Sequence, residues 1–60
     1  MNLSTDANER FYDALAEAID RAGPEHQALF LTKLSLLLAN HLGDETVIDQ
    51  AIAKALLQIR

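Results

Sequence analysis

The sequence predicts an all-α protein, with helices over residues of about 6–22, 24–42 and 45–59 in a three-helix bundle or a more open three-helix arrangement. Three observations carry this reading. Apolar residues recur at helical spacing in the first and last thirds of the chain, and the middle third is apolar nearly all round. The only glycines and the only proline fall at Gly23-Pro24 and at Gly43, where those segments meet. No strand pattern, internal repeat or low-complexity run is present.

The first helix is expected after a short frayed lead-in, Met1 to Thr5. Asp6 followed by Glu9 resembles a capping box, with Ser4 and Thr5 as alternative caps. Phe11, Leu15, Ala18, Ile19 and Ala22 share one face, with Tyr12 at its edge. Charged residues, among them Asp13, Glu17 and Asp20, fill the opposite face. Gly23-Pro24 then ends the helix. Glycine suits the left-handed position after a helix, and proline suits the first turn of the next.

The second helix, QALFLTKLSLLLANHL over 27–42, organises the chain. Leu37, Phe30, Leu34, Leu38, Leu31 and Leu42 form one broad face, expected to lie under the two flanking helices. Ala28, Thr32, Ser35 and Ala39 form a small-residue seam opposite, flanked by Leu29 and Leu36. This seam invites a further backbone to approach; the plainer alternative is light solvation. Gly43 closes the helix and Asp44 caps the third. That helix carries Ile48, Ala51, Ile52, Ala55, Leu56 and Ile59 on one face, with Val47 and Leu57 off it and Arg60 placing positive charge at its end.

Sixty residues make a single domain, 1–60, and a chain this short buries little surface alone. Half the residues are hydrophobic, which argues against disorder. A net charge of −4 with five scattered Lys and Arg argues against nucleic acid and anionic membranes. The apolar run is too short and too interrupted for the ~20 residues of a membrane span. No secretory leader is evident, so the cytoplasm is the default.

No catalytic residue, cofactor site or metal site emerges. The chain has no cysteine. His26 and His41 lie roughly 22 Å apart along one helix and cannot share an ion within a chain. His41 interrupts the broad Leu face; a last-turn histidine ordinarily meets free carbonyls there. Tyr12 reads as a bundle-edge residue or an interface anchor. Asp13, Glu17 and Asp20 are opposite the apolar face and read as solvated, or as a contact for a basic surface.

Tyr12-Asp13-Ala14-Leu15, Ala22-Gly23-Pro24-Glu25 and the ending Ala39-Asn40-His41-Leu42-Gly43-Asp44 carry a resemblance. From Phe11 to Asp44 the chain resembles an uncharacterised family of short helical bacterial proteins, a domain of unknown function. The resemblance transfers no catalytic residue. It implies a gene encoded beside those of flavin-dependent aromatic hydroxylases, and so an accessory subunit of a bacterial oxidoreductase.

The functional expectation is a non-catalytic protein–protein interaction module, not an enzyme. It would self-associate as a homo-oligomer or dock on a larger protein. The interface would be Ala28, Leu29, Thr32, Ser35, Leu36 and Ala39 of helix two, with Leu57 of helix three. The oxidoreductase subunit and a small apolar-ligand carrier are the alternatives.

Overall fold

Ser4 caps the first helix: its Oγ accepts a hydrogen bond from the Ala7 N–H at 3.1 Å. Helix α1 follows as Thr5–Ala22. The cap is thus Ser4, and Asp6 lies in the first turn, where its charge favours the positive end of the helix dipole. The computed structural model describes residues 3–59; the lead-in at Met1 and Asn2 and the charge of Arg60 lie outside the described residues.

Gly23 closes α1 by donating its N–H to the Ile19 carbonyl at 3.3 Å. Its φ of 86° is positive, as a helix-ending glycine requires, but its ψ of 158° is extended. The expected left-handed helical conformation is therefore not adopted. The following Pro24 explains this, because a proline disfavours helical ψ in the residue before it. Pro24–His26 then forms a single 3₁₀ turn, and α2 runs over Gln27–Leu42 rather than from Pro24.

At the second break Gly43 is left-handed (φ 69°, ψ 18°) and donates to the Ala39 carbonyl at 2.9 Å. Asp44 accepts from the Val47 N–H through Oδ1 at 3.2 Å and starts α3, Glu45–Gln58. The chain is all-α, with three α-helices and no strand among the described residues.

Of the two expected arrangements, the open one is found. Helices α1 and α2 are in close backbone contact, and α3 is not held against either to the same degree. The half-buried residues of α1 include Leu15, Ala18, Ile19 and Ala22, and those of α2 include Gln27, Phe30 and Leu34. These seven lie towards the Gly23-Pro24 corner, whereas Ala7 and Ala39, also half-buried, lie away from it. None of the described residues is fully buried. The broad Leu face is therefore not covered by the flanking helices as expected: Phe30 and Leu34 are half-buried, but Leu37 is 61% exposed. The Cα radius of gyration is 12.6 Å, against about 10 Å for a compact 60-residue domain.

Candidate functional site

The two-residue link Gly43-Asp44 joins α3 to the C-terminal end of α2, and residues of both helices border the open space between them. Ser35 and Ala39 of α2 and Ile48 and Ile52 of α3 line both of two open hollows between the helices. On one side Leu38 and Leu42 of α2 and Ala51 and Ala55 of α3 complete a hollow of about 310 Å³. On the other, Leu31, Thr32 and Leu36 extend it along α2, with about 400 Å³. Both are open: Leu36 is 62% and Ile52 55% exposed.

No formally charged side chain lines either hollow. Its two hydroxyls are also satisfied without help. Thr32 Oγ1 donates to the Ala28 carbonyl at 2.9 Å, and Ser35 Oγ donates to the Leu31 carbonyl at 2.7 Å. Both bonds stay inside α2, so covering this surface strands no hydroxyl proton. A buried unsatisfied hydroxyl would otherwise cost about 1–3 kcal/mol. The surface behaves as apolar despite its Ser and Thr.

Thr32, Ser35, Leu36 and Ala39 of the expected interface line these hollows. Ala28, Leu29 and Leu57 are exposed but do not line them. The α3 wall of Ile48, Ala51, Ile52 and Ala55 was assigned to packing by sequence reasoning, as were Leu31, Leu38 and Leu42. A signal for it exists. Residues 28, 32, 35 and 39 of α2 repeat with 4-3-4 spacing, and residues 48, 52 and 55 of α3 with the 4-3 part of it. Matched seams of this kind belong to helices that pack together.

Among the described residues, no group of three or more His, Cys, Asp or Glu side chains is placed to hold a metal ion. His26 precedes α2 without a side-chain capping bond, and His41 lies in its last turn; both are exposed. Tyr12, Asp13, Glu17 and Asp20 are exposed on α1. No described helix is long and apolar enough to cross a membrane.

Fold and surface together define a class: a small open three-helix protein with an uncovered apolar face. Within that class the chain belongs to the family described as protein of unknown function (DUF2783), whose model matches residues 1–56. No curated protein and no solved structure matches the chain.

Proposed function

We propose that this protein is a non-catalytic interaction module of the bacterial cytoplasm whose docking surface is the apolar face shared by α2 and α3. One observation carries the reading. The chain exposes 5635 Å², whereas a compact monomer of 6.6 kDa exposes about 3,900 Å². The surplus of about 1,700 Å² is that of the whole chain, and the exposed large apolar side chains include Leu31, Leu36, Leu38, Leu42 and Ile52 of this face; such patches mark association sites. A carrier of small apolar molecules is less well supported, because a single chain leaves both hollows open. An oxidoreductase would be one kind of partner under this reading; no residue described above favours it over another protein.

The test is capture by the purified full chain from an extract of its own organism. Two variants frame it: Ile52→Glu in the docking face and Ala16→Glu on the exposed side of α1. Wild type and Ala16→Glu are expected to retain the same protein, whether further copies of the chain or another polypeptide, and Ile52→Glu to lose it. Equal retention by all three would overturn the reading.

A further inference from the structure

We propose that α3 is a closing arm: in the free chain it folds back antiparallel onto α2 and hides the face on which a partner docks. The inference rests on the docking reading only for what the arm hides. The closure itself is a property of the chain alone.

The two helices already face each other with matched rows. Ser35, Ala39, Ile48 and Ile52 border both hollows, so these residues look across the gap. Counted outwards from Gly43 on one side and Asp44 on the other, Ala39 and Ile48 each stand four residues away, Ser35 and Ile52 eight, and Thr32 and Ala55 eleven. Both helices rise by about 1.5 Å per residue, so in an antiparallel pair residues at equal count lie level. Folding α3 back sets Ala39 beside Ile48, Ser35 beside Ile52 and Thr32 beside Ala55, with no shift of register. Around α2 the small row runs between Leu38 and Leu42 on one side and Leu36 on the other. It is the floor of a trough, and Ile48 and Ile52 form the ridge that enters it. No residue of either row is charged, and the Thr32 and Ser35 hydroxyls keep their bonds inside α2.

The link permits the movement. Two residues are enough to join antiparallel helices. Asp44 (φ −130°, ψ 104°) lies in the extended basin, where ψ ranges over about +100 to +180° without steric conflict. No bond at the link ties one helix to the other. The Gly43 N–H bond to the Ala39 carbonyl belongs to the end of α2, and the Val47 and Ile48 N–H bonds to Asp44 belong to the start of α3.

Helix α3 also lacks any other support. It has 14 residues, of which Ile48 alone is half-buried. Isolated helices shorter than about 12–15 residues are marginal in water, and packing of an apolar face supplies most of a helix's stability in proteins. The face of α2 is tethered beside it, and a short tether acts as an effective concentration of about millimolar. The surplus exposure of the whole chain is measured against a compact single chain of the same mass, so closure reduces it without a second molecule.

Disulfide trapping of the full chain in dilute solution tests the closure. The sequence has no cysteine, so an introduced pair reports only on itself. Thr32→Cys with Ala55→Cys joins the two rows. Lys33→Cys with Lys54→Cys is the control: each stands ten residues from the link, but neither lines a hollow. Equilibration in a glutathione buffer measures the effective concentration of one thiol for the other, and mass separates links within a chain from links between chains. The row pair is expected to exceed the control about tenfold or more, within single chains. Circular dichroism checks that both variants stay helical. Should either unfold, NMR of the wild type decides: the closed form brings the Thr32 and Ala55 methyl groups within about 4.5 Å, which gives a cross-peak inside one chain. Mixing labelled with unlabelled protein identifies any cross-peak that arises between chains. Equal effective concentrations for the two pairs, links formed only between chains, or no methyl cross-peak within a chain would overturn the proposal. No partner is present in these measurements, so their failure leaves the docking reading standing, and failure of capture from extract leaves the closure standing.

Discussion

Gly23 and Gly43 both end helices with positive φ, yet they occupy different conformations, and the difference is measurable. A methyl group at either position meets no atom within 4 Å, so any cost of adding one is borne by the backbone. Gly43 sits in the left-handed helical well, which an alanine enters at about 1–2 kcal/mol and an asparagine more cheaply. Gly23 combines φ 86° with ψ 158°, a region close to glycine-only. Gly23→Ala should therefore lower stability by about 1–3 kcal/mol, and Gly43→Ala by about 1–2 kcal/mol. Gly43→Asn should recover most of that loss, while Gly23→Asn should not. Denaturant titration at one fixed protein concentration measures all four, and equal behaviour of the two asparagines would refute the distinction. The Ser35 hydroxyl offers a second test. It bonds only within its own helix, so Ser35→Ala should change stability by less than about 0.5 kcal/mol. A loss well above that would mean the hydroxyl has a partner outside α2.

Helix α3 depends on its start more than on its flanks. It has one half-buried residue, Ile48, so tertiary packing contributes little to it within the chain. Asp44→Ala removes the side-chain cap and should cost about 1 kcal/mol, with Asp44→Ser retaining most of it. Helicity and the denaturation midpoint report the result, and an unchanged midpoint for Asp44→Ala would show that the cap is dispensable. Such local features were legible in the sequence, because caps and breaks act over three or four residues. The three helices, both breaks and the Asp44 cap follow from that range of interaction. Two local readings differ, for local reasons: Ser4 takes the cap expected at Asp6, and Pro24 pulls Gly23 into an extended ψ. What sequence could not convey is how far the helices separate. Periodicity identifies Leu37 and Leu38 as apolar and on one face, but it is the same whether that face lies under a helix or meets water. The α2 seam was visible because Ala28, Thr32, Ser35 and Ala39 are small. The α3 wall was less plain, because Ile48 and Ile52 look like ordinary core residues, and their spacing gains meaning only where they line the same hollows as Ser35 and Ala39.

At the scale of the whole molecule the charge and the apolar face oppose each other, and salt separates their effects. Each chain carries a formal charge of −4, much of it on α1 as Asp6, Glu9, Asp13, Glu17 and Asp20. The molecule measures 32 × 27 × 25 Å. Two such bodies with centres about 27 Å apart repel by about 2 kcal/mol in unscreened water. At 0.01 M salt the Debye length of about 30 Å leaves roughly 1 kcal/mol of this, and at 0.15 M the length of about 8 Å leaves about 0.1 kcal/mol. The apolar contact itself has no charge to screen. Association of two copies should therefore tighten about fivefold between those salt concentrations. Docking of the acidic α1 surface on a basic partner has the opposite sign, since salt screens an attraction. Sedimentation equilibrium at the two concentrations distinguishes the cases by direction alone. Self-association that weakens as salt is added would mean that opposite charges, and not the α2–α3 face, hold the copies together.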